Sequence, residues 1–310
     1  MREIDLAVIG GGTAGFTAGL FGARYGLDTL VLERSMPGGQ IINVERIENY
    51  PGFPKGISGA ELAALAQRQA MQSGCTVEMA EVIRLVPQDR RLALETSAGP
   101  LSARAVIVAT GSSLRRLGVP GEEDHYGRGV SQCATCDGPF FNGEVVGIVG
   151  GGDSAADEAL TLTRYAARVI VFQRRGQLRA QHVLRSRLLA HPKIEMHWHT
   201  EVREVLGGDN GRLRAVRVWD AQNDQEHSVD LAALFVFVGL DPNSAFLRGV
   251  VDLDNAGHVP TDVCMRTSVP GVFAAGDIRQ HSAAQVASSV GDAATAAISA
   301  AQYIQSCAWA

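Results

Sequence analysis

The chain has 310 residues, 46% of them hydrophobic, with 35 Gly against 11 Pro. That length exceeds a usual single domain, and the glycine excess fits tight βα turns better than disorder. A net charge of −5 argues against a general nucleic-acid or anionic-membrane surface.

Met1-Arg2-Glu3-Ile4-Asp5 enters a strand directly, without the basic region, apolar stretch and cleavage site of a signal peptide. The longest apolar run, Leu231 to Val238, is too short to span a bilayer, so no membrane span and a cytoplasmic location are expected. The strand Ile4–Ile9 runs into Gly10-Gly11-Gly12-Thr13-Ala14-Gly15. A helix is predicted from Thr13 to Tyr25, and Thr29-Leu30-Val31-Leu32-Glu33 is the next strand, completing a βαβ unit. Glycines at Gly10, Gly12 and Gly15 let the backbone turn sharply and approach a pyrophosphate lying on the helix N-terminus. Glu33, 18 residues after Gly15, stands where an acid accepts hydrogen bonds from a ribose.

Ala105 to Gly111 is a buried-strand run, and a linker fits near Ser113–Pro120. Cys133-Ala134-Thr135-Cys136-Asp137 follows. A structural zinc there would need two more ligands, but there is no second C-x-x-C and His125 is the only nearby histidine. A passive pair of buried thiols is a second reading. A redox dithiol is favoured, because the C-x-x-C spacing allows a disulfide with a lowered thiol pKa, and Asp137 offers a carboxyl to shuttle its proton. Cys75, Cys264 and Cys307 stand alone and are expected to be buried or surface thiols, not part of a disulfide scaffold.

Val145–Val149 then repeats the strand pattern and enters Gly150-Gly151-Gly152-Asp153-Ser154-Ala155. An Ala-rich helix is predicted through Tyr165, followed by a strand from Arg168 to Phe172. Where Glu33 closes the first unit, this one continues Gln173-Arg174-Arg175 and then Arg179. Replacing the acid by guanidinium groups is the change expected for a ribose 2′-phosphate, which arginine binds through paired hydrogen bonds. His197 and His199 alternate and are predicted to line one face of a strand. Leu234 to Gly239 and Phe273 to Asp277 are further buried runs, with a second linker near Gly239–Ser244. The fold class read from this order is α/β. Two dinucleotide-binding, Rossmann-like three-layer domains are expected, the second inserted into the first, with boundaries at 1–115, 116–239 and 240–310.

Together with Pro37-Gly38-Gly39-Gln40, Glu48-Asn49-Tyr50-Pro51-Gly52 and Gly276-Asp277, these motifs resemble the low-molecular-weight thioredoxin reductases. Those are flavoproteins of the pyridine-nucleotide disulfide oxidoreductase group, and the likeness covers nearly the whole chain. The resemblance implies FAD on the first unit, NADPH on the second, a homodimer, and thioredoxin or a thioredoxin-like protein as partner. It implies FAD contacts from Gly10, Gly12, Gly15, Glu33, Gly39, Gln40, Asn49, Asp277 and Gln285, and NADPH contacts from Gly150, Gly152, Arg174, Arg175 and Arg179. It further implies that Cys136 faces the flavin, that Cys133 attacks the substrate disulfide, that Asp137 acts as acid, and that the linkers near 115 and 240 form a hinge.

Three departures stand out. The family's His-Arg-Arg-Asp is here Gln173-Arg174-Arg175-Gly176, its Arg-Gln pair near the flavin is Ala284-Gln285, and the chain closes with Cys307-Ala308-Trp309-Ala310, whose Trp is a candidate for stacking on a cofactor site. The leading expectation is an enzyme passing electrons from NADPH through FAD and Cys133–Cys136 to thioredoxin. A thioredoxin reductase-like flavoprotein independent of NADPH, served by ferredoxin, a second flavin or thiols, is the alternative that Ala284 and Trp309 motivate. A redox or nucleotide sensor is the non-enzyme alternative, against which both cysteines and Asp137 argue.

Overall fold

The computed structural model describes residues 2–208 and 211–306. Cys307 and Trp309 lie outside them. The first stretch of chain forms β1 (Arg2–Ile9), α1 (Thr13–Arg24), β2 (Thr29–Glu33), α2 (Gly59–Gln72), β3 (Thr76–Met79), β4 (Val82–Pro87), β5 (Leu92–Thr96), β6 (Gly99–Val108) and β7 (Ser112–Leu114). The middle stretch forms β8 (Val130–Ser131), α3 (Ala134–Asp137), β9 (Val145–Val149), α4 (Asp153–Leu162), β10 (Arg168–Gln173), α5 (His182–Ala190), β11 (Ile194–Trp198), β12 (Thr200–Gly207), β13 (Leu213–Asp220), β14 (Gln225–Asp230) and β15 (Ala233–Val236). The last stretch forms β16 (Leu240–Pro242), β17 (Val272–Ala274) and α6 (Val286–Ser306). Contacts divide the chain into two compact units, Met1–Ser113 with Asp241–Ala310, and Leu114–Leu240.

In the first unit the sheet order is β3-β2-β1-β6, all parallel. The ten-residue β6 serves two partners on its other edge: antiparallel β5 along its first half and parallel β17 along its second. Successive residues of β1 enter different cores. Leu6 and Val8 pack with Phe16, Ala18, Phe273 and Ala297 beneath α1 and α6, whereas Ala7 and Ile9 pack with Leu85, Leu94 and Val106 on the opposite face. A strand buried on both sides has no polar face to present, which is why Leu6–Ile9 of β1 and Leu30–Leu32 of β2 read as unbroken apolar runs.

The second unit repeats the plan. Its parallel sheet runs β11-β10-β9-β15-β8, and β12-β13-β14 form a separate antiparallel sheet. Val146, Ile148, Val169 and Val171 face Ala155, Ala159 and Leu162 of α4, while Val149, Ile170 and Phe172 face Val202, Val216 and Val218 of the antiparallel layer. Both units are therefore three-layer α/β structures.

Two details differ from the sequence reading. α4 ends at Leu162, with a turn rather than helix from Thr163 to Tyr165. His199 does not alternate with His197 along a strand: it sits between β11 and β12 at φ 52°, in the left-handed region. Period-two spacing alone does not show that kink, because the break between the two strands falls on the second histidine.

Candidate functional site

The first glycine turn is shaped by close backbone approach. A Cβ at Gly15 would lie 1.7 Å from the Gly10 carbonyl oxygen, so no side chain fits there. Gly10 itself adopts φ +105° and donates its N–H to the Leu32 carbonyl at 2.8 Å. Gly12 precedes α1, and no side chain caps that end. A Ser or Asn cap would add about 1 kcal/mol to the helix. Burial of Phe16, 1% exposed, contributes more, ~1.5–3 kcal/mol. The helix can thus stand with its first N–H groups turned to a ligand, the arrangement that receives phosphates.

The Glu33 carboxylate is buried against this turn. Its two oxygens accept the Gly11 N–H at 2.6 Å and the Ser35 N–H at 2.8 Å. The Gly11 carbonyl in turn accepts the Gly38 N–H at 2.7 Å, which ties the Pro37–Gln40 loop to the glycines. Gln40 then donates to the Ser112 carbonyl and to Ser112 Oγ. Asn49 and Gln285, 236 residues apart, meet through Asn49 Nδ2 and Gln285 Oε1 at 3.0 Å. Asp277 receives the Ser282 and Ser289 hydroxyls at 3.4 and 3.3 Å; burial raises its pKa, partly offset by those hydroxyls. Arg279 anchors the same segment by pairing with both oxygens of Asp292, each at 2.9 Å. A bare helix start, a glycine cradle and a buried acid placed for a ribose fit the adenosine diphosphate half of a dinucleotide.

The second glycine turn copies the first with one chemical change. Gly150 lies at φ +145° and donates to the Phe172 carbonyl at 3.2 Å, and Gly152 precedes α4 without a side-chain cap. Gln173 fills the place of Glu33: a Cβ on Gly151 would fall 1.5 Å from Gln173 Nε2. The acid is replaced by a neutral amide, and the side-chain Oε1 of Gln173 accepts the Arg175 backbone N–H at 3.2 Å. The Gly151 carbonyl accepts the Arg179 N–H at 2.7 Å, much as Gly11 holds Gly38. Asp153 at the start of α4 accepts the Gln181 backbone and side-chain N–H groups, both at 2.7 Å. Arg174, Arg175 and Arg179 are thereby gathered, all exposed, at the glycine end of β10. The ring of His199 covers Gly176, whose Cβ would stand 2.7 Å from His199 Nε2. A side chain in place of Gly176 would have to displace that ring.

Cys133 and Cys136 form a disulfide with their Cα atoms 5.3 Å apart. Cys133 is half-buried and caps α3, with its Sγ accepting the Cys136 N–H at 3.1 Å; Cys136 is exposed. Ser131 Oγ accepts the Cys133 N–H at 3.1 Å. Asp137 lines a cavity of about 400 Å³ together with Arg128, Ser131, Phe140, Phe141 and Arg212. Among the described residues no cluster of three or more His, Cys, Asp or Glu side chains is placed to hold a metal. One partner of the pair is absent from the sequence reading. Glu158, on the buried face of α4, accepts the Ala134 N–H at 2.7 Å. The signal available for it was a carboxylate spaced with Ala155, Ala159 and Leu162 on the apolar face of that helix.

A glycine turn ahead of a helix in each unit and a disulfide in the second fit a nucleotide-dependent disulfide oxidoreductase. Residues 4–300 match the family model described as pyridine nucleotide-disulphide oxidoreductase, and the chain belongs to that family. It is an oxidoreductase of a family that uses flavin and pyridine nucleotide. The thioredoxin reductase of Treponema pallidum is 40% identical over 302 residues, covering 97% of each chain. That of Bacillus subtilis is 37% identical over 301 residues, or 97% of this chain and 95% of the other. The crystal structure of Lactococcus lactis thioredoxin reductase superposes with a TM-score of 0.95 at 37% identity, covering 97% of this chain and 99% of that one.

Proposed function

We propose that this chain is an NADPH-dependent thioredoxin reductase. The observation that carries the reading is the Cys133–Cys136 disulfide, in the same unit as a glycine turn flanked by three arginines. The net reaction takes NADPH, one proton and a protein disulfide to NADP⁺ and a protein dithiol. FAD is assigned to the first unit, residues 1–115 and 240–310, on Gly10, Gly12, Gly15, Glu33, Gly39, Gln40, Asn49, Asp277 and Gln285. NADPH is assigned to 116–239, on Gly150, Gly152, Arg174, Arg175 and Arg179. A bound flavin would supply a two-electron relay between the nicotinamide and the Cys133–Cys136 disulfide.

In the reduced protein the Cys133 thiolate attacks the substrate disulfide, forming a mixed disulfide and releasing one substrate thiolate, which Asp137 protonates. Cys136 then attacks Cys133 Sγ, which expels the second substrate thiolate and restores the Cys133–Cys136 bond. The cavity holding Asp137, with Arg128, Arg212 and the exposed Phe140 on its rim, supports docking of a thioredoxin-like protein there. Among the described residues no helix is long and apolar enough to cross a membrane. A cytoplasmic homodimer is the assembly we assign.

Anaerobic NADPH should bleach the flavin, and thioredoxin disulfide should be reduced at the expense of NADPH. Cys136→Ser should retain flavin and lose disulfide reduction, measured by thioredoxin-dependent NADPH oxidation; near-parent turnover would refute the dithiol path. Ala284, at φ 49° beside Gln285, carries no cation and favours a second reading with another donor. Flavin that stays oxidised with NADPH but bleaches with ferredoxin or a dithiol would establish it.

A further inference from the structure

α4 connects the second glycine turn at its N-terminus to the redox segment at its middle, and the connection is made by one side chain. Glu158 is 8% exposed, and its Oε2 accepts the Ala134 N–H at 2.7 Å, the first amide after Cys133. This places a buried carboxyl on the backbone amide next to Cys133, while the Cys136 N–H is turned to Cys133 Sγ. Its surroundings give that carboxyl little solvation. α4, β9, β10 and α5 contribute Ala155, Ala159, Ile148, Val171 and Leu188 to the same apolar core. The charged group that acts on it is also acidic, Asp157 on α4. Burial, with a smaller opposing effect from the Ala134 amide, pushes the Glu158 pKa up to about 7.

We propose that Glu158 is a positioning residue of the redox pair: it engages the Ala134 amide and sets a carboxylate beside Cys133, restraining thiolate formation in the reduced pair and lowering its potential. The inference rests on the dithiol reading above. Reduction of the pair breaks the Cys133–Cys136 bond, takes up two electrons, and takes up two protons when both sulfurs leave as thiols. An amide already engaged by a carboxylate is not offered to a thiolate, and a neighbouring negative charge disfavours a second one. Both effects make the reduced, ionised state harder to reach.

The test uses the flavin-loaded protein equilibrated in dithiothreitol redox buffers. Cys133 and Cys136 are followed by alkylation and mass analysis of the tryptic peptide 129–164, which contains no other cysteine. Glu158→Gln keeps a carbonyl to receive the Ala134 N–H and removes the charge. Above pH 7, where the parent's Glu158 is charged, it should alkylate faster than the parent and shift the exchange equilibrium toward the dithiol by about tenfold, ~30 mV less negative. Glu158→Ala, lacking the acceptor as well, should shift at least as far. A Glu158→Gln protein with the parent's alkylation profile and potential overturns the proposal, even if Glu158→Ala is impaired, because anchoring alone would then suffice. A parent whose pair never exchanges with dithiothreitol would instead defeat the dithiol reading itself.

Discussion

Gly15 and Arg174 show how differently single residues act in the two nucleotide turns. At Gly15 the demand is steric: with Gly10 O only 1.7 Å from a would-be Cβ, Gly15→Ala must push α1 off the glycine turn. The expected outcome is a folded protein that purifies with far less flavin than the parent, measured as visible absorbance per chain. At Arg174 the demand is electrostatic. The side chain is exposed and sits beside Gln173, which has taken the place of an acid. A charge-assisted contact with a 2′-phosphate contributes roughly 1.5–3 kcal/mol. Arg174→Ala should therefore weaken NADPH binding by about tenfold or more and leave NADH nearly unchanged, by equilibrium titration of each nucleotide.

At the scale of elements, the buried carboxylate on α4 makes the second unit's stability depend on pH. Burial raises the Glu158 pKa from the ordinary carboxylate range to about 7. The folded state then holds a proton that the unfolded chain releases, so stability is fully present below the unfolded pKa and falls as pH rises toward 7. The span corresponds to about 3 kcal/mol at most. Glu158→Gln should remove that dependence: relative to the parent, its unfolding midpoint in denaturant should be higher at pH 8 than at pH 5. A parent and variant with parallel pH profiles would mean that the carboxyl titrates normally. Asp277 contributes with the same sign, since its pKa is also raised by burial.

For the whole molecule, the chain crosses between its two units twice, and the crossing strands β7 and β16 pair with each other. Gly239, one residue before β16, lies at φ +135°, a conformation that side-chain-bearing residues reach only with strain. If these crossings act as the hinge that the family resemblance implies, Gly239→Ala should slow turnover with thioredoxin while leaving flavin content and dithiothreitol reduction of the pair at parent levels. Rapid-reaction absorbance of the flavin during turnover would read this directly.

The features legible in the sequence are local ones. Glycines next to an apolar strand, an acid or arginines at the end of the following strand, and two cysteines three residues apart are each set by backbone sterics or by the reach of one side chain. Gly10 to Gly15, Glu33, the three arginines and Cys133–Cys136 could therefore be found without coordinates. Tertiary structure alone joined Asn49 to Gln285 across 236 positions and brought Glu158 behind the Ala134 amide. It also folded His199 over Gly176. These contacts depend on how helices pack on sheets and where loops return. No spacing along the chain encodes that, because the partners are chosen by burial in three dimensions.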